Sequence, residues 1–250
     1  MTLKPNTIEN QLIEEICRYI SEDRAPSQFE VAKLKREAAK LKNGNRAVYA
    51  AILGMIACLD NDVAECKKQH ELAIRLEGSV ELYDSYCTSL YNLGHIKDAY
   101  KWAKKGLNVF PHAPVLLVSA VKSAYFLGLF DKVVEHYQAL IPLQLAVIDE
   151  KAEGFVQNAK IVLSLGIPEP SLHQLSDILE SIRLKHGADI KTINLSLIPT
   201  EETQELFNWI ETTSNVDITV EMNMELCEIL ASQPDIDLGN MTVAFRACQH

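Results

Sequence analysis

The sequence predicts a mainly α-helical chain of stacked helical pairs, closed at its C-terminal end by a small α/β unit. Three observations carry that prediction. Apolar residues recur at helical spacing in segments of roughly 14 to 16 residues, cut by short Gly, Asp or Pro breaks. Part of this pattern repeats, with Leu93-Gly94 falling on Leu127-Gly128 at an offset of 34 residues. After Gly187 the texture changes to short runs that alternate apolar with polar and favour β-branched residues.

Composition sets the frame. With 250 residues, 48% of them apolar, the chain has ample material for a buried core, and its ten glycines and nine prolines leave disorder without support. Its apolar runs are broken by charges well short of the ~20 residues that a membrane span needs. Glu9, Glu14 and Glu15 stand where a secretory signal would be uncharged, so a cytoplasmic location is expected, with no membrane partner. Six cysteines (Cys17, Cys58, Cys66, Cys87, Cys227 and Cys248) form no C-x-x-C pair and read mostly as reduced, buried thiols. A formal charge of -10 argues against a nucleic-acid partner, which calls for a basic footprint. The acidity is local: residues 145 to 250 carry six Lys and Arg against seventeen Asp and Glu.

The first helix opens after Pro5, with Asn6 and Glu9 spaced as a capping box ahead of the stripe Ile8, Leu12, Ile13, Ile16, Cys17 and Ile20. The second follows Pro26, where Ser27 and Glu30 repeat the capping spacing, and stops at Asn43-Gly44. Residues 1 to 44 thus form an N-terminal helical pair. From Asn45 to about 187 the chain reads as helical repeats. The segment from Val80 aligns with the segment from Pro114 at an offset of 34, and an upstream copy aligns Ala64 with Ala99 and Leu72 with Leu107 at an offset of 35. Residues 145 to 165 and 171 to 186 suggest a fourth, degenerate pair, with Ser171 and Gln174 as its capping box. Residues 188 to 250 read as a small acidic capping unit. Its expected order is β-α-β-α-β, with strands at 190 to 198, 216 to 220 and 241 to 247 and helices at 200 to 211 and 222 to 231.

The repeated segments resemble the tetratricopeptide repeat family. Tyr83 stands at that family's aromatic position, Gly94 at its tight turn, Ala99 at its small helix-crossing residue and Pro111 at its closing break. Cys87 and Gly106 depart from it, where Gly and Ala are usual. The third unit keeps Leu117, Gly128 and Tyr137 but carries Val133 at the small position, and the first has Asp60 near the turn and lacks the proline. The resemblance implies an α-α superhelix of about three to four helical pairs, in which neighbours stack because one pair cannot bury its apolar face alone.

Chemistry is hard to find. The chain has no phosphate loop, no dinucleotide fingerprint, no G-x-S-x-G elbow and no H-E-x-x-H, so no cofactor and no enzymatic activity are expected. Cys66 and His70 share one helix face, but two ligands do not make a metal site, and a structural role is expected of them. Cys227 and Cys248 are read as reduced and structural.

A binding role is the expectation that remains. The resemblance implies a concave groove lined by the first helix of each pair. Its positions fall on Tyr49, Glu81, Asp84, Thr88, Tyr91, Asn92, Lys122, Tyr125 and Phe126. That places aromatic anchors in a site suited to another protein's segment, as in a scaffold or adaptor. A second candidate surface is acidic: Glu201, Glu202, Glu205, Glu221, Glu225 and Glu228 belong to a stretch with one cation, Arg246. Such a surface suits a basic protein, as in an immunity protein, antitoxin or secretion chaperone, and the C-terminal strands offer a route to self-association. An unrecognised catalytic site in the C-terminal unit is the third reading.

Overall fold

The structure is a computed structural model that describes residues 7 to 22, 24 to 143, 150 to 199 and 204 to 248. The described residues form eleven α-helices and one three-stranded sheet, and no helix among them is long and apolar enough to cross a membrane. The chain divides into two compact units, Met1–Ser119 and Ala120–His250.

The first unit is wholly helical. Helix α1 (Ile8–Ser21) is capped by Thr7, whose hydroxyl accepts from the Asn10 amide at 3.3 Å; the expected cap Asn6 lies outside the described residues. Helix α2 (Gln28–Ala38) starts on the expected capping box: Ser27 Oγ accepts from the Glu30 amide and Glu30 accepts from the Ser27 amide at 2.8 Å. Both helices pack on α3 (Arg46–Leu59), which also packs on α4 (Val63–Leu76). Helix α5 (Val80–Asn92) touches α3 and α4 and pairs with α6 (Ile96–Val109), and the first turns of α7 (Pro114–Phe126) complete the unit. Leu12, Ile16, Tyr19, Leu34, Ile52 and Ile56 form one buried cluster at the N-terminal pair, and Tyr86, Leu90 and Ala99 anchor another between α5 and α6.

The turn between paired helices recurs with the same backbone logic. Asn61 and Gly94 adopt positive φ (55° and 72°), and the next amide reaches back five residues, Asp62 to the Ala57 carbonyl and His95 to the Leu90 carbonyl. In the second unit Gly128 repeats this at φ 67°, with the Leu129 amide on the Ala124 carbonyl. Matching turn to turn sets the first repeat at 33 residues, not the 35 that the sequence alignment suggests. Cys66 therefore stands where Ala99 does; it is fully buried, whereas Ala64 is exposed.

The second unit contains the rest of α7, α8 (Phe130–Leu140), α9 (Glu150–Ser164), α10 (Glu169–Lys185), β1 (Ile190–Pro199), β2 (Gln204–Thr212), α11 (Val216–Ser232) and β3 (Met241–Ala247). Tyr125 is 1% exposed and stacks on Phe155 with ring centroids 4.4 Å apart, and its hydroxyl accepts from Asn158 Nδ2 at 2.9 Å. Helix α10 begins after Pro168 without a side-chain cap; Ser171, expected to cap it, is buried and accepts from the Asp237 amide. The sheet order is β1-β2-β3, with β1 and β2 antiparallel and β2 and β3 parallel.

Two elements of this unit differ from the sequence expectation. Residues 204 to 212 form a strand rather than a helix: Leu206, Asn208, Ile210 and Thr212 are buried on one face, the two-residue period of a strand. Residues 216 to 220 form a helical start rather than a strand, because the Asn215 side chain accepts from the Ile218 amide at 2.9 Å and caps α11. Thr219, Met222 and Leu226 then share the buried face at helical spacing. The observed order is β-β-α-β.

Candidate docking groove

The first helices of three consecutive pairs, α1, α3 and α5, line a groove of about 310 Å³ in the first unit. Its apolar wall comes mostly from α3, where Val48, Ala51, Ile52 and Met55 follow the three- and four-residue spacing that puts side chains on one helix face. Ile13 of α1 and Leu82 of α5 add to it. Ser85 also lines the groove, and its Oγ has no hydrogen-bond partner among the described residues.

Charge gives the groove a sign. Glu9, Glu77 and Glu81 line it, and no Lys, Arg or His does. Glu77 and Glu81 are exposed. Glu77 is also the C-cap of α4, so its carboxylate adds to the partial negative charge of the helix end. An apolar wall with three carboxylates and no counter-charge of its own suits a ligand that is apolar and cationic together.

Of the nine residues expected in a groove, Glu81 is among the lining side chains. Tyr49 is half-buried and packs against the cluster around Leu12 and Ile16. Asp84 is half-buried and accepts from Ser119 Oγ at 2.8 Å, which ties α5 to the start of α7. Thr88 and Asn92 are exposed. Tyr91 packs against Tyr86, Leu90 and Ala99, and burial raises the pKa of its hydroxyl. Lys122, Tyr125 and Phe126 belong to the second unit; Tyr125 is a core residue, and Phe126 packs edge-on to Tyr125 and Phe155. The aromatic residues expected to be anchors are therefore largely spent on packing. The sequence reading missed Glu9 and Ile13 because it treated the N-terminal pair as separate from the repeats.

The acidic surface is partly neutralised. Glu225 accepts from Lys185 Nζ at 2.9 Å and lies 3.0 Å from His186 Nε2, which links α10 to α11 and holds its carboxyl below the usual range. Glu205, Glu221 and Glu228 are exposed, and Glu201 and Glu202 lie outside the described residues. The outer edge of β3 is occupied at Phe245, whose amide donates to Asn223 Oδ1 and whose carbonyl accepts from Asn223 Nδ2.

Cys66 and His70 both face the interior of the first unit, and His70 Nε2 is engaged by Ser89 Oγ at 2.9 Å. Burial pushes the Cys58 thiol up to about 11 and the Cys66 and Cys87 thiols up to about 12, so all three stay protonated at neutral pH. Cys227 is exposed, Cys248 is half-buried, and both are free thiols. Comparison of the chain with protein-family models, with curated proteins and with solved structures found no match.

Proposed function

We propose that this protein is a tetratricopeptide-like interaction module, and that the groove formed by α1, α3 and α5 takes a segment of another protein in which an apolar side chain is flanked by Lys or Arg. The observation that carries the reading is the pairing of an apolar wall with Glu9, Glu77 and Glu81 and no cation among the lining residues. The recurrent turns at Asn61, Gly94 and Gly128 support the repeat reading, since they join the two helices of successive pairs at spacings of 33 and 34 residues. Attraction between the carboxylates and a basic segment speeds encounter and sets its direction, while burial of the apolar side chain supplies most of the affinity.

The test is selection from a random peptide library on the full chain, run in parallel on a Glu77→Lys/Glu81→Lys variant. Enrichment of apolar residues flanked by Lys or Arg, lost on the variant, is the expected outcome. Enriched peptides without a cationic bias, or peptides captured equally well by both proteins, would remove the support for this groove.

A further inference from the structure

We infer that Asp131, Glu169 and His173 form a site for one divalent transition cation of the zinc class in the second unit. One ligand atom from each, two carboxylate oxygens and one imidazole nitrogen, lie within 4.8 Å of one another. Glu169 and His173 are four residues apart in α10 and share one face; Asp131 comes from the first turn of α8. Gly128 brings the two elements together. A Cβ built there would stand 3.6 Å from Ser176 Cβ and 3.8 Å from the Leu172 carbonyl oxygen, so the turn before α8 rests directly on α10.

The spacing of the three groups suits an ion better than a direct bond. His173 Nε2 is 3.6 Å from Glu169 Oε1 and 3.8 Å from Asp131 Oδ1. Both exceed the reach of an N–H···O hydrogen bond, about 2.7 to 3.2 Å. Asp131 Oδ1 and His173 Nε2 are both shielded from solvent, and neither has a hydrogen-bond partner among the described residues. The three ligand atoms thus lie close enough together for one cation to be shared among them when the imidazole is neutral. Zinc-class ions bind such atoms at about 2.0 to 2.2 Å, so the cluster must contract by a few tenths of an ångström to about one ångström, within the swing of the exposed Glu169 side chain. Two carboxylates balance the charge of a divalent ion, and one imidazole biases the set toward zinc, cobalt or manganese over calcium. Lys132 Nζ sits 3.3 Å from Asp131 Oδ2 and 2.8 Å from Glu135 Oε2; it holds the second Asp131 oxygen and leaves Oδ1 to the cluster.

Titration of the untagged full chain with Co2+, followed by its visible absorption and by calorimetry, tests the site. One saturable Co2+ per chain is expected, displaced by Zn2+, lost in His173→Gln and in Asp131→Asn, and kept in His112→Gln. Folding of each variant is checked by circular dichroism, and Glu169→Gln, on the exposed side of the cluster, provides a third variant should either of the others unfold. An absence of saturable binding would overturn the assignment and leave His173 as an ion-pair partner of the two carboxylates. Binding that survives all three cluster substitutions would place the ion elsewhere and overturn it equally.

Discussion

His70 occupies the space that a side chain on Gly54 would need. A Cβ built at Gly54 would come within 2.5 Å of His70 Cδ2, and the ring in turn stacks on Tyr86 at 5.0 Å and meets Ser89 Oγ at 2.9 Å. At the corresponding positions of the next helical pair, 33 residues on, stand Cys87 and Ala103, both buried. The first pair thus sets its smallest residue against a bulky ring, whereas the second carries two smaller buried side chains at these positions.

Gly54→Ala is therefore expected to destabilise the protein by about 1 to 2 kcal/mol, the cost of overpacking less the gain in helix propensity. Adding His70→Ala should recover part of that loss, giving a coupling of about 1 kcal/mol in a double-mutant cycle by urea denaturation. Additive effects would contradict the contact.

Acid should act on the same residue. Burial lowers the His70 pKa to about 3, below the ordinary 6.5, so the folded protein holds it neutral while the unfolded chain protonates it first. The stability this contributes is full above pH 6.5 and declines as pH falls toward about 3, with a slope near 1.4 kcal/mol per pH unit. Between pH 6.5 and 5, before carboxylates titrate, His70→Gln should flatten the stability profile relative to the parent protein. Parallel profiles would show that His70 does not titrate as its burial requires.

The turn glycines differ from other glycines in the chain because their φ is positive. Gly128→Ala is expected to cost about 1 to 2 kcal/mol, since an alanine Cβ crowds the following carbonyl in the left-handed conformation. Gly128→Asn should cost less, because Asn61 already adopts φ 55° at the equivalent turn. Melting temperatures of the two variants check the order.

In the sheet, Thr212 is fully buried and its Oγ1 has no hydrogen-bond partner among the described residues. Thr212→Val keeps the shape and removes that hydroxyl, so a gain of about 1 kcal/mol is expected on denaturation. A loss of stability would mean that the hydroxyl has a partner.

The helical pairs were legible because their signals are local. Ser27 and Glu30 form the capping box that their spacing announces, and Gly94 and Gly128 make the turns. The C-terminal unit misled for an equally local reason. In β2 the inward positions alternate Leu206, Asn208, Ile210 and Thr212, so polar residues interrupt the apolar alternation that marks a strand. In α11 the β-branched run Val216 to Val220 mimics a strand, and the outcome turns on the Asn215 cap. The groove was half-legible: first helices of pairs line it, but Tyr49, Tyr91 and Tyr125 pack inward, and its carboxylates come partly from α1 and the α4–α5 connection. The cluster of Asp131, Glu169 and His173 depends on α8 meeting α10, which no spacing in the sequence encodes.

The most direct test of the central claim is a charge swap between the groove and a selected basic peptide, read by fluorescence anisotropy at low salt. Against the parent peptide, the Glu77→Lys/Glu81→Lys variant should bind about tenfold more weakly, and replacing the peptide's Lys and Arg with Glu should restore binding to that variant while weakening it to the parent protein. Equal affinities across the four combinations would contradict the groove as the docking site.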